Sequence, residues 1–597
     1  MSPEGRLQEL LSFIYGTETG DQTWHRLRDR LDSFVARNPG LAADLRPPDQ
    51  LLDQKYAILI TYGDQFGEPG QPPLQTLRKF LFTDLENALN GVHILPCFPY
   101  SSDDGFSVID YLTIDPALGE WDDVRALGNS YRLMLDAVVN HISRQSAWFQ
   151  GFLAGDPTYA DYFFVVDPAE DLSQVVRPRA LPLLTAVETV EGTKHVWTTF
   201  SDDQIDLNYG NPAVLLAITD VLLAYVAAGA RLIRLDAIAF MWKVIGTSCL
   251  HLPRTHAVVK LWRAVLDLVA PDVLLITETN VPHADNISYF GDPLPGGAGT
   301  DEAQLVYNFS LAPLVLHTFR TEEASALSDW VESLAPPPGG ATFFNFIASH
   351  DGIGMRPAEN LLQPADVQAL IDQAVAHGGQ VSYRVHPDGS RSVYELNVTL
   401  YDFLNDPARP NQPPDVARFT ASQAILLALA GVPGIYVHSL FGSRNCYPCM
   451  EETGRARSIN REKFAYSDLR RALANPDDHR RQVFDNVKQL LRLRAAQPAF
   501  HPTAPQRVLR VHPSVFALLR TTHGGEDWVL CLVSATCQAL HVSIDLSRAQ
   551  VNAPGDLVDL VTGESLSPIA GQLDVALSPC QVRWLVNPGP DTLVETS

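Results

Sequence analysis

The stretch RLIRLDAIAF, Arg231 to Phe240, is short and apolar like a strand buried on both faces, yet it carries Arg234 and Asp236. Residues two apart on a strand point to the same side. A buried charge is costly unless it is paired or used. The same juxtaposition recurs along the chain, where polar residues follow apolar runs. Asp103 and Asp104 lie in YSSDDGF. Asp136, Asn140 and His141 lie in DAVVNH, Glu278 in VLLITETN, and His350 and Asp351 in FIASHD. One isolated buried aspartate reads best as a hydrogen-bonded structural residue. Five strand ends carrying such groups read as one site. Three carboxylates with histidines and an arginine suit chemistry at a glycosidic bond. A retaining enzyme needs an ionised carboxylate as nucleophile and a carboxylic acid as proton donor, about 5 Å apart. A third carboxylate holds hydroxyls and stabilises positive charge in the transition state. Arg234 beside Asp236 is expected to lower that carboxyl's pKa and to orient it.

The elements that position these groups are legible as apolar runs. They are YAILITY (56–62), GVHILPCF (91–98), RLMLDAVVNH (132–141), RLIRLDA (231–237), VLLITETN (273–280), LVYNF (305–309), FFNFIASHD (343–351) and GVPGIYV (431–437). Such runs suit parallel strands covered on both faces. Helical patterns lie between several of them. PLQTLRKFLFTDLENAL predicts one, and NPAVLLAITDVLLAYVAAG predicts another that opens with Asn-Pro and stops at Gly229. Eight strands alternating with helices predict an α/β fold, a (β/α)8 TIM barrel, whose catalytic groups sit at the C-terminal strand ends. The barrel is expected over 55–141 and 201–504. A B domain is expected at 142–200 and a second, B′-like insertion at 352–410, because connections this long usually shape an active site. Residues 1–54 predict a helical extension. From 505 to 597, RVLRVHPSVFALLRTT, WVLCLVSAT and QALHVSIDL predict a small C-terminal all-β domain.

The net charge of −25 argues against nucleic-acid or anionic-membrane partners. No leader-like opening and no long uncharged run stand out, and the seven cysteines are scattered, which predicts a cytoplasmic protein. CYPC (446–449) admits a zinc or redox reading, but without a second pair a chance spacing in a loop is favoured. Asn140 invites a calcium reading, yet no Asp-rich calcium loop accompanies it. His251 and His256 in HLPRTH read as structural histidines rather than acceptor contacts.

DAVVNH, RLIRLDAIA, ITETN and FIASHD, in this order, resemble the four short motifs of the α-amylase superfamily, glycoside hydrolase family 13, and QIDLN (204–208) resembles a fifth. The resemblance spans roughly residues 55 to 590. It implies Asp236 as nucleophile, Glu278 as general acid/base and Asp351 as transition-state stabiliser. It implies that Asp103, His141, Arg234, His350 and Arg461 line a glucose subsite. VHILPCFPYSSDDGFSVIDY, VVRPRALPLL, GTSCLHLPRTH, SHDGIG and GRARSINRE are similar to the sucrose phosphorylase branch, whose members transfer glucose from an α-glucoside to phosphate. The branch implies no cofactor and no metal, only inorganic phosphate as co-substrate, with a monomer or homodimer acting on small molecules. By resemblance Arg179 in VVRPR is the phosphate ligand, with Tyr394 beside it. Sucrose-specific members carry Leu-Tyr-Gln where this chain has Val393, Tyr394 and Glu395, so Tyr394 and Glu395 line an altered acceptor site. The N-terminal extension, ITETNVPHADNISYFGD and HSLFGSRN resemble the glucosylglycerate phosphorylases. Glycerate carries a carboxylate and needs a cation or backbone donors. Arg177, Lys194, His195 and Arg444 are the candidates. Sucrose, sucrose 6F-phosphate, glucosylglycerol, or a glucosidase or transglucosidase activity stay open as alternatives.

Overall fold

A computed structural model describes residues 2–588 other than 42–50, 87, 179–180, 298, 386–389, 552 and 554. Eight parallel strands close into a barrel in chain order. They are β1 (Ile58–Thr61), β2 (Gly91–Ile94), β3 (Arg132–Val138), β4 (Ala230–Asp236), β5 (Leu274–Thr277), β6 (Leu305–Asn308), β7 (Thr342–Asn345) and β8 (Val432–Tyr436). Six lie within the apolar runs, β4 and β7 begin one residue before theirs, and β8 pairs back onto β1, with Ile58 opposite Gly434. The strands are almost wholly buried because helices cover the outside and side chains fill the inside.

The helices follow their local chemistry. In α4 (Pro212–Ala227), the Asn211 side chain accepts from the Ala213 N–H, Pro212 opens the first turn, and Gly229 at φ 106° ends the run. Helix α3 begins at Pro73 as expected but stops at Thr83, short of the predicted pattern. Asp84 leaves the helix to accept from the Tyr466 hydroxyl at 2.6 Å, and Leu85 turns into the core.

The extension forms α1 (Pro3–Tyr15) and α2 (Thr17–Arg37). They cross so closely that a Cβ on Gly20 would lie 2.8 Å from the Leu11 backbone. Helix α1 docks on α5 (Pro253–Val269) through an Arg6–Asp267 ion pair, and α2 reaches Asp220 through Arg30 at 3.0 Å. The Tyr15 hydroxyl donates to the Tyr209 carbonyl at 2.9 Å. The extension is therefore packed on the outer helices of the barrel, with Tyr15 reaching the segments that follow β3 and β4.

Both long connections carry regular structure among the described residues. The first carries a helix, Ala147–Leu153, and a hairpin of Leu184–Thr189 with Gly192–Trp197. The second carries α6 (Pro364–Ala376) and a three-stranded sheet of Ile353–Gly354, Gln380–Val385 and Arg391–Asn397. Beyond Gln506 the chain forms a six-stranded sheet and a two-stranded pair with its own core, including Leu532, Val575 and Leu585. Cys446 and Cys449 are joined as a disulfide rather than standing by chance, their Cα atoms 5.3 Å apart, a spacing the bond accepts.

Candidate active site

Neighbouring strands share a register that levels their polar ends. Asp136 of β3 stands opposite Arg234 of β4, and Val138 opposite Asp236. Thr277 of β5 stands opposite Leu235, so Glu278 comes level with Asp236 as its N–H donates to the Leu235 carbonyl at 3.3 Å. The chain turns immediately after Asp236. Ala237 adopts φ 51°, a left-handed conformation unusual for a residue with a Cβ, and its N–H points to the Glu278 carboxylate at 3.4 Å.

Arg234 answers the question its burial raises. One guanidinium nitrogen donates to Asp136 and, at 2.7 Å, to Asp236, while another stands 4.0 Å from Glu278. Asp136 is held in turn by His93 at 2.6 Å. The guanidinium is thus a fixed bracket between two facing carboxyl groups. Phe106 and Tyr307 close around it with their rings 5.7 and 5.3 Å away.

Arg234, Asp236, Glu278 and Phe106 line a cavity that opens to solvent. Asp103, His141, Asp236, Glu278, His350 and Asp351 all reach it, as do Tyr394 and Glu395 from the second insertion and Pro178 and Phe200 from the first. Arg461 stands behind this wall, donating to the His350 carbonyl at 2.8 Å and pairing with Asp104. The arginine that meets Asp351 directly is Arg457, at 2.6 Å; it also donates to Glu395 at 3.0 Å. Arg455 meets Asp103 at 3.1 Å. Asp103 and Asp104 both sit at positive φ, which turns their side chains to opposite arginines of the loop after β8.

Burial sets the protonation states. Glu278 is pushed up to about 8, mainly by loss of water and partly by Asp236 and Asp351, against the pull of Arg234. Asp136 has the opposite outcome. Burial raises it, but Arg234 and His93 outweigh burial and hold it at about 2. Burial also raises Asp351, yet Arg457, His350, Arg461 and Arg234 together keep it well below the ordinary carboxylate range. For Asp236 the sequence-based expectation is incomplete. Arg234 does pull its carboxyl down, but burial is the larger influence and Asp136 adds to it, so the pKa is raised in the free site. His350 is driven down to about 3 by burial and stays neutral, 3.5 Å from Asp351 and stacked on Phe106. Glu278 is thus a carboxylic acid beside the carboxylates of Asp351 and Asp136 and the neutral imidazole of His350, and a protonated Glu278 is what donation to a glycosidic oxygen requires.

Asn140 meets a cation, but it is the ammonium of Lys243, 3.1 Å from its amide oxygen and 2.6 Å from Asp206. Among the described residues no cluster of three or more His, Cys, Asp or Glu side chains could hold a metal ion. His251 and His256 are engaged with Tyr289 and Glu302 at 2.9 and 3.0 Å. Of the cations considered for the acceptor, Lys194 pairs with Glu191 at 2.6 Å, His195 lies in the hairpin opposite Ala186, and Arg444 leans on Tyr401 and Asp402. None of these three lines the cavity. Arg177 is exposed beside the lining residue Pro178, and Arg179 lies outside the described residues. Arg356 and Arg457, which do line the cavity, were not among the candidates.

Residues 86–337 match the family model for the α-amylase catalytic domain. The chain is 46% identical over 589 residues to a glucosylglycerate phosphorylase of Spirochaeta thermophila, covering 98% of this chain and 99% of that one. It is 47% identical over 591 residues to a glucosylglycerate phosphorylase of Allomeiothermus silvanus, covering 98% and 100%. Among solved structures, the sucrose 6F-phosphate phosphorylase of Thermoanaerobacter thermosaccharolyticum superposes with a TM-score of 0.69 at 24% identity, over 81% of this chain and 94% of that one, a likeness of fold. With the barrel, the strand-end carboxylates and these relatives together, the chain belongs to the α-amylase superfamily, glycoside hydrolase family 13, in the sucrose phosphorylase branch that includes the glucosylglycerate phosphorylases.

Proposed function

We propose that this protein is a retaining α-glucosyl phosphorylase that converts 2-O-α-glucosylglycerate and phosphate into α-glucose 1-phosphate and glycerate. The observation that carries the reading is the Arg234 bracket, which holds Asp236 at 2.7 Å and faces Glu278 at 4.0 Å, with Glu278 protonated at neutral pH. In the first step an Asp236 oxygen bonds to the glucose anomeric carbon as the bond to the glycerate oxygen breaks. The Glu278 proton passes to that departing oxygen. In the second step a phosphate oxygen attacks the same carbon, the ester to Asp236 breaks, and the phosphate proton returns to Glu278. Two inversions give net retention.

Asp351, held ionised by Arg457, stabilises positive charge on the ring as the bonds exchange. Asp103, His141, Arg234 and His350 form the glucose subsite, with Arg461 bracing His350 and Asp104 from behind. Tyr394 and Glu395 face the acceptor, Glu395 being neutralised by Arg457. Phosphate is assigned to Arg179 and Tyr394. The ammonium of Lys243 supports a site that works without a metal, and no cofactor is needed for the two displacements. The protein is proposed to act in the cytoplasm, as a monomer or homodimer, on small molecules rather than nucleic acid. No helix among the described residues is long and apolar enough to cross a membrane.

The test is release of glucose 1-phosphate from 2-O-α-glucosylglycerate, glucosylglycerol, sucrose and sucrose 6F-phosphate, each with and without phosphate. Phosphate-dependent release from glucosylglycerate above the others is the expected result. Preference for another glucoside would replace the acceptor. Free glucose formed regardless of phosphate would make the protein a glucosidase and remove the role of Arg179.

A further inference from the structure

The acceptor's charge must be met within the site. Glycerate is an anion, and it must enter a cavity walled by Asp236, Glu278, Asp351, Asp103 and Glu395 in a chain of net charge −25. Such a ligand needs a cation that is not already spent. Among the described residues, three guanidinium groups line the cavity. Arg234 is taken by Asp136 and Asp236, and Arg457 by Asp351 and Glu395. Arg356 is different. Among the described residues it has no carboxylate within ion-pair distance. Among the described residues its one hydrogen bond is a long donation from Nη1 to the Asn280 carbonyl at 3.3 Å, and its buried Nε meets none of them.

Its surroundings keep it that way. The neighbouring cation Arg384 pairs with Glu359 at 3.3 Å and repels Arg356 rather than neutralising it. Arg356 follows directly on Met355, whose N–H donates to the Tyr394 carbonyl at 3.0 Å, so the arginine is tied to the acceptor-facing tyrosine. Asn280 lies two residues beyond Glu278 and packs on Gly354, where any Cβ would come within 2.9 Å of its amide. The Asn280 Oδ1 is also buried with no partner. Arg356 and Asn280 thus line the same cavity side by side, the arginine with no carboxylate to pair with, a combination suited to a ligand bearing a carboxylate and a hydroxyl next to each other.

We infer that Arg356, with Asn280 beside it, is the specificity-determining pair of the acceptor subsite, Arg356 holding the carboxylate of a 2-hydroxy acid such as glycerate and Asn280 its neighbouring hydroxyl. The inference rests on the proposed glucosylglycerate activity and gives that activity its selectivity over neutral glycerol. A phosphate anion shares the chemistry of the carboxylate, so the test separates the two.

The experiment compares wild type with Arg356→Gln and Arg356→Lys. KM and kcat are measured for 2-O-α-glucosylglycerate and for its neutral counterpart glucosylglycerol. KM for phosphate is measured with α-glucosyl fluoride as donor, where no acceptor is present. Arg356→Gln should raise KM for glucosylglycerate about 10- to 100-fold, as for loss of a hydrogen bond to a charged group. The values for glucosylglycerol and for phosphate should move less than about threefold. Arg356→Lys should recover part of the loss, which a purely structural role would not require. Equal losses on the charged and neutral glucosides would overturn the assignment. A rise confined to the phosphate KM would also overturn it and give Arg356 to phosphate. If Arg356→Gln cannot turn over even the fluoride, the lysine variant decides by the same comparison. Wild type inactive on glucosylglycerate would overturn the proposed function and this inference together, whereas an active wild type with an unaffected Arg356→Gln would overturn the inference alone.

Discussion

Protonation of Glu278 is the most exposed quantitative claim. An ordinary carboxyl at 4.5 would be protonated in about one molecule in three hundred at pH 7. With the group pushed up to about 8, roughly nine in ten molecules carry the proton at pH 7, and about one in ten at pH 9. The kcat/KM for glucosylglycerate reports the free enzyme, so it should fall about tenfold per pH unit above 8. Asp236 and Glu278 face one guanidinium, so the limb belongs to the pair rather than to either group alone. The assay is glucose 1-phosphate release from pH 5 to 10, run beside loading from α-glucosyl fluoride, whose leaving group needs no proton. The alkaline limb should vanish with the fluoride and in Glu278→Gln. Stability follows the same titration. A carboxyl whose folded pKa is raised contributes stability that is full below its unfolded value near 4.5 and is lost as pH rises through about 8. The Gln variant does not titrate, so its melting temperature should exceed that of wild type by a margin that widens from pH 5 to 8. Activity already lost above pH 5, or an identical limb with the fluoride, would refute the argument.

Three further outcomes test the frame around the site. Lys243→Met leaves Asp206 and Asn140 buried without their cation and should cost about 3–5 kcal/mol in denaturant unfolding, much of it recovered by adding Asp206→Asn. Incubating wild type with a chelator should leave its activity unchanged; loss of activity restored by calcium would contradict the lysine-for-metal reading. Gly20→Val places a side chain 2.8 Å from the Leu11 backbone and should destabilise the α1–α2 crossing by about 1–3 kcal/mol, read as faster proteolysis near residue 16 with an unchanged KM for glucosylglycerate.

The barrel was legible because each parallel strand is covered on both faces and so appears as an unbroken apolar run, as in AILITY and LLIT. Asp236, Glu278 and Asp351 were legible only as a set, because polar groups closing several such runs gather at one barrel mouth where a single one would read as structural. Arg356 and Arg457 were not, because their place depends on how two long loops fold over the barrel mouth, and nothing in MRPAE or GRARS marks which arginine will lack a partner. The same holds for Lys243, which is 103 residues from the Asn140 amide it meets. The sequence suggested Arg234 as the determinant of Asp236 protonation, but how far burial opposes it is a property of the closed cavity. Helix α3 ends before its pattern does, at Asp84, whose carboxylate accepts from Tyr466, a partner no local pattern contains.

The central claim is a glucosyl ester on Asp236 that phosphate resolves. It is tested most directly by mass spectrometry of Glu278→Gln after exposure to α-glucosyl fluoride. The peptide containing Asp236 should gain one glucosyl unit, and adding phosphate, which is already ionised and needs little help from a base, should remove it with release of α-glucose 1-phosphate. An adduct on another residue, no adduct at all, or discharge at the same rate in water alone would contradict the account.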